Sequence, residues 1–153
     1  MSLFGKFRKA IVMFVTSRQF KVRNSCSMQC KRFAVQSYRD LIAWQKAMDL
    51  VSAVYQCTQT FPTTERYGLV SQLRRAAISV PSNIAEGHAR ISTGEFRQFL
   101  GHALGSLMEI ETQVLISQRL GYVDSVQSKG LLQLTTEIGK VLNGLLRSLT
   151  SRR

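Results

Sequence analysis

At 153 residues with 44 % hydrophobic side chains, the chain has the length and composition of about one globular domain and needs no disulfide framework to bury a core. Two prolines and ten glycines are too few for the turns of a β-sandwich or barrel, and no apolar run approaches the ~18 residues of a transmembrane helix. Twenty-one Lys and Arg against nine Asp and Glu leave a net charge of +12, which predicts attraction to polyanions, nucleic acid first and an anionic membrane surface second.

The charge is uneven along the chain. Residues 1–36 carry eight basic residues and no acidic one, so two thirds of the excess belongs to an N-terminal extension expected to lie outside the main fold, with residues 37–153 as the folded domain. Within it, Phe4, Phe7, Ile11, Phe14 and Val15 share one helical face with Lys6, Arg8 and Lys9 around them. Three readings stay open: a targeting peptide or membrane-surface helix, a nucleic-acid-binding arm, or a non-functional extension upstream of a start at Met28. A secretory signal fits poorly, because the apolar stretch is short and no small-residue cleavage site follows.

From Asp40 the apolar residues Leu41, Trp44, Met48, Val51 and Tyr55 recur at spacings of 3 and 4, which predicts a first helix of about 20 residues with Asp40 as its N-cap and Phe61-Pro62 as its stop. A second stripe, Leu50, Val54, Cys57 and Phe61, runs beside the first. The double stripe exceeds what one partner covers, and Leu50, Val54 and Cys57 are therefore candidate oligomer-interface residues. A second helix is expected from Thr64 or Glu65 through Tyr67, Val70, Leu73, Ala77, Val80 and Ile84, kinked at Pro81 and stopped by Gly87. Ser92 and Glu95 form a capping box that opens a third helix through Phe96, Phe99, Ala103, Leu107, Ile110 and Val114 to Leu120-Gly121. A fourth begins at Asp124 or Ser125 and follows Leu131, Leu134, Ile138, Val141, Leu145 and Leu149. Short connections between long helices make neighbours antiparallel, so the expected fold is all-α: an up-down-up-down four-helix bundle. Gly101, Gly105 and Gly139 fall inside helices, where they either mark a close approach of two backbones or are simply tolerated.

Catalytic signals are weak. Glu109 and Glu111 have no histidine at the Glu-x-x-His spacing of di-iron bundles and point about 200° apart on a helix. No nucleophile elbow, phosphate-binding loop or dinucleotide fingerprint occurs. Cys26, Cys30 and Cys57 are an odd number without zinc spacing, which fits a reducing cytoplasm. The reading is therefore no enzyme, no metal, no cofactor and no small-molecule substrate. The informative basic feature is Arg74-Arg75; with Arg66, Arg90 and Arg97 it is a candidate phosphate-binding surface. The competing reading pairs Arg74 or Arg75 with Glu86, Glu109 or Glu111 at a helix or subunit contact.

The segments Asp40-Leu41-Ile42-Ala43-Trp44-Gln45-Lys46-Ala47 and Glu65-Arg66-Tyr67-Gly68-Leu69, and above all the run from Ser71-Gln72-Leu73-Arg74-Arg75 through Val80-Pro81-Ser82-Asn83-Ile84-Ala85-Glu86-Gly87, resemble the 23S ribosomal RNA intervening-sequence proteins, as do Gly105 to Gln113 and Leu120-Gly121-Tyr122. The likeness spans about residues 38–150, and the extension 1–36 has no counterpart in it. It implies a cytoplasmic bacterial protein, a four-helix bundle, and a homopentamer. Some members of that family are encoded inside intervening sequences of 23S rRNA genes. A related branch, the accessory variability proteins of diversity-generating retroelements, binds nucleic acid and works with a reverse transcriptase. The family carries no established catalytic residues. Residues and resemblance together lead to an oligomeric scaffold that binds RNA or DNA through backbone phosphates, the alternative being a structural or protein–protein interaction module in which Arg74 and Arg75 serve assembly.

Overall fold

The computed structural model describes residues 37–150; the readings of residues 1–36 lie outside them. Four helices follow in order: α1 (Ile42–Cys57), α2 (Leu69–His88), α3 (Thr93–Arg119) and α4 (Ser125–Thr150). Each packs against its two neighbours, α1 on α2 and α4, α3 on α2 and α4, which closes a four-helix bundle.

The core repeats at the spacing that seats one helix in another. Ala43, Ala47, Leu50 and Val54 of α1, Leu73, Ala77, Val80 and Ile84 of α2, and Leu100, Ala103, Leu107, Ile110 and Val114 of α3 are all buried. Steps of three and four residues keep such a stripe on one face along the whole helix, as in left-handed bundles. On α4, Leu131, Ile138 and Leu142 continue the pattern, with buried Thr135 filling the remaining place. Its hydroxyl donates to Glu111 Oε1 at 2.7 Å, so the polar group is satisfied rather than stranded.

A side-chain hydrogen bond crosses every seam. Arg74 Nε donates to Thr58 Oγ1 at 2.9 Å just beyond α1, Ser106 Oγ to Ser79 Oγ at 3.0 Å between α3 and α2, and Lys46 Nζ to Glu137 Oε2 at 2.9 Å between α1 and α4. The Thr135–Glu111 bond completes the set. A smaller cluster of Phe61, Val70 and Val123, with Tyr122 against it, seals the end where the α1–α2 and α3–α4 connections meet.

Helix boundaries show which local signals decide. Ser92 accepts from the Glu95 amide while the Glu95 side chain accepts from the Ser92 amide, a full capping box. Asp124 Oδ1 accepts from the amides of Val126 and Gln127 at 2.8 and 2.7 Å, and Gly121 ends the α3 region at φ +76, a left-handed conformation suited to glycine. Asp40, in contrast, is no N-cap. It lies in a 3-10 turn, Tyr38–Asp40, and α1 starts after Leu41 without a side-chain cap. α1 also stops at Cys57, with a 3-10 turn over Thr58–Thr60 before Phe61.

The second helix begins later than expected, at Leu69. Residues Thr63–Tyr67 form a 3-10 turn, and Glu65 Oε2 accepts from the Leu69 amide at 3.0 Å, taking one of the donors that a helix start leaves open. α2 then runs through Pro81 to His88. The carbonyls of Ile78 and Ser79 accept from the side chains of Ser82 and Asn83. Gly87 is not the stop: it is buried inside the helix, where a Cβ would come within 2.7 Å of Phe99 Cβ. Gly101, Gly105 and Gly139 would meet nothing within 4 Å among the described residues, so no close backbone approach within them accounts for these glycines.

Candidate nucleic-acid interface

The five candidate arginines divide between the two ends of the bundle. Arg66 stands in the turn before α2, and Arg74 and Arg75 lie in its second turn. Arg90 and Arg97 lie beyond the other end, in the α2–α3 connection and the first turns of α3. About 20 Å of helix separates Arg75 from His88, so the five do not form one surface.

Arg90 is internally committed. It forms an i,i+4 ion pair with Glu86 and its guanidinium lies 4.7 Å from the Phe99 ring centroid. Phe96 and Phe99 also meet His88 and His102 edge-on at 6.1 and 6.0 Å, which places both histidines against aromatic rings. Arg97 is exposed.

The other end is different. Arg74 is held twice: its Nε donates to Thr58 Oγ1, and its guanidinium lies 4.6 Å from the Tyr55 ring centroid, within cation–π range. Arg66 lies 5.9 Å from the Tyr67 centroid. Arg75 is exposed and has no hydrogen bond or ion pair among the described residues. Glu86 pairs with Arg90, Glu109 accepts from Gln113 and Glu111 from Thr135, so none of these carboxylates pairs with Arg74 or Arg75 within the chain.

The acidic residues at this end are already occupied by backbone. Glu65 caps α2 and approaches Tyr122 Oη at 3.5 Å; Asp124 caps α4. Both carboxylates sit at helix N-termini, where the positive end of the macrodipole offsets them. The antiparallel register that joins Ser79 to Ser106 brings Arg119, the last residue of α3, to the same end. Among the described residues, Arg66, Arg74, Arg75 and Arg119 therefore gather at this end, and none of them forms an ion pair with a carboxylate, which makes it the electropositive end.

Two residues here that periodicity placed on apolar helical stripes lie at the surface. Tyr67 is 86 % exposed and Tyr55 38 %. Arg66 directly precedes Tyr67 in the chain, and Tyr55 lies in the last turn of α1.

The apolar face of α1 is also reversed from expectation. Leu50 and Val54 are fully buried in the chain's own core, while Cys57 is half-buried beside a cleft of about 360 Å³ between α1 and α4. Burial, and to a lesser extent Asp124, raises the Cys57 thiol above its ordinary pKa, which keeps it protonated. The other stripe of α1 is only partly covered: exposed Met48 and half-buried Trp44 and Val51, which pack against the core, line a cleft of about 270 Å³ with Ile78, Pro81 and Ala85 of α2. Met108 and Leu115 of α3 are exposed as well. Among the described residues no helix is long and apolar enough to cross a membrane, and no group of three or more His, Cys, Asp or Glu could hold a metal ion.

The fold recurs in a solved structure, a protein of the S23 ribosomal protein family from Bacteroides thetaiotaomicron, with a TM-score of 0.65 at 20 % identity over 69 % of this chain and 96 % of that one. At that identity the likeness speaks for the fold alone. No curated protein sequence matches the chain. The family model described as 23S rRNA-intervening sequence protein matches residues 39–144, which takes in all of α1, α2 and α3 and most of α4. With that span matched, the chain belongs to the 23S rRNA-intervening sequence protein family.

Proposed function

We propose that the protein is a non-enzymatic, homo-oligomeric cytoplasmic scaffold that binds RNA or DNA through backbone phosphates, using Arg66, Arg74 and Arg75. A pentamer is the assembly that the family resemblance implies, and a reverse transcriptase is the protein partner if the chain belongs with the retroelement branch. The observation that carries the reading is the electropositive end: its arginines have no carboxylate partner among the described residues, while Glu65 and Asp124 are turned to helix amides. Such cations are free to displace the counterions condensed on a nucleic acid.

The test is a salt series on the full chain and on Arg74→Ala/Arg75→Ala. Each phosphate contact on duplex DNA contributes about 0.9 to the slope of log K against log salt. The double variant should flatten that slope and weaken all sequences alike, since phosphates carry no base identity, with helical circular dichroism and oligomer mass unchanged.

The second reading, an assembly module, is favoured by the apolar side chains left at the surface, Met48, Ile78, Met108 and Leu115. Under it the double variant changes the oligomer mass, and nucleic-acid binding is absent or indifferent to both arginines.

A further inference from the structure

We propose that the electropositive end is built for single-stranded nucleic acid, with unpaired bases stacking on Tyr67 and on the outer plane of the Arg74 guanidinium while Arg66 and Arg75 hold the flanking phosphates. This rests on the nucleic-acid reading above and narrows it to one substrate class.

Tyr67 carries the argument. Its ring is 86 % exposed in the turn before α2, so the core gains almost nothing from an aromatic side chain there. A ring in that position offers a π-face and an Arg66 cation beside it, 5.9 Å from its centroid. Seven residues on, the same combination recurs in a more rigid form. The Arg74 guanidinium lies over the half-exposed Tyr55, and its bond to Thr58 fixes its plane. Ser71 Oγ donates to the Tyr67 carbonyl at 3.1 Å, which ties the turn carrying Tyr67 to the first turn of the helix carrying Arg74.

A duplex buries its base faces and presents phosphates, so a duplex-binding surface needs cations and has no use for an exposed ring. A single strand presents both, and rings interleaved with arginines match both features at once. Guanidinium planes stack on bases as aromatic rings do. The charge complementarity is local: Glu65 and Asp124 are held by helix amides, which leaves this face to the arginines.

The experiment measures fluorescence anisotropy of full-length protein with four 15-nucleotide probes at one fixed salt concentration: oligo(dT), oligo(U), an abasic strand of the same length, and a 15-base-pair duplex. The expected result is that the two base-bearing strands bind at least tenfold more tightly than the abasic strand. Tyr67→Ala should weaken them about tenfold, the order expected for losing one stacked base, with the abasic strand and duplex unaffected. Tyr67→Phe should bind as the parent does, and Arg74→Lys, which keeps the charge but loses the plane, should weaken the base-bearing strands selectively. Equal affinity for base-bearing and abasic strands would overturn the proposal, as would a Tyr67→Ala variant that leaves all four probes unchanged or weakens all alike. A Tyr67→Ala variant with altered mass in light scattering and unaltered affinities would assign the ring to a contact between copies instead. Absence of binding to all four probes would reject the underlying nucleic-acid reading, an outcome distinct from loss of the stacking preference alone.

Discussion

A methyl group at residue 87 would lie 2.7 Å from Phe99 Cβ and 2.9 Å from Phe96 Cδ2. The first of those atoms is tied to the α3 backbone and cannot swing aside, so Gly87→Ala should force the helices apart at an overpacking cost of about 1–3 kcal/mol. Gly105 has nothing within 4 Å of the same position, and Gly105→Ala should stabilise by roughly 0.5–1 kcal/mol through the better helix propensity of alanine. Urea unfolding of the two variants checks both signs; a destabilising Gly105→Ala would mean that a second copy packs against that face. At this scale the sequence was partly legible. The arginines were visible as candidates, but their division between two ends was not, because it depends on where α2 begins. Tyr67 was drawn onto the α2 stripe by extending a 3.6-residue phase back through a segment that winds as a 3-10 turn, where the phase is lost.

The helix ends that could be read were those whose signal is local. Ser92 with Glu95, and Asp124 with the amides two and three residues on, need only a few residues to complete their hydrogen bonds. The starts of α1 and α2 were missed because both follow 3-10 turns, and the α2 cap comes from Glu65, four residues ahead of the amide it accepts from. Ser92→Ala should cost about 1 kcal/mol near neutral pH, read from the shift of the urea midpoint. Hydrogen bonds from Ser92 hold the Glu95 carboxyl below its ordinary value, and Lys46 does the same to Glu137. A carboxylate whose folded pKa is depressed stabilises the fold above its unfolded value, and that contribution is lost as pH falls through the folded one. The urea midpoint should therefore hold from neutral pH down to about pH 5 and decline below the ordinary glutamate range near 4.3. Ser92→Ala should flatten that decline. A midpoint that rises on acidification would contradict both assignments.

For the molecule as a whole, the bundle was legible because three- and four-residue steps persist through every helix and the connections are short. Which stripe of α1 faces inward was not, since Trp44 and Met48 are as apolar as Leu50 and Val54 and only the neighbouring helices decide between them. The partly covered stripe carries the expectation of assembly: light scattering at micromolar concentration should give a mass several times 17.3 kDa, and a monomer would remove the scaffold reading. The closure of the four helices also has a kinetic consequence. α2 and α3 share the most extensive seam and are adjacent in the chain, whereas α1 meets α4 through residues as far apart as Lys46 and Glu137, 91 positions. Hairpins of neighbouring helices can form early at small loop-closure cost, while the α1–α4 seam must wait for the ends of the chain to meet. Ile138→Val, in the core of α4, should destabilise by about 0.5–1.5 kcal/mol and act almost entirely on the unfolding limb of a stopped-flow chevron, speeding it about fivefold per kcal/mol. Val80→Ala, in the middle of α2, should instead slow refolding. The last seam to zip is then the first to open, and the lifetime of the native state is set where the two most distant helices join.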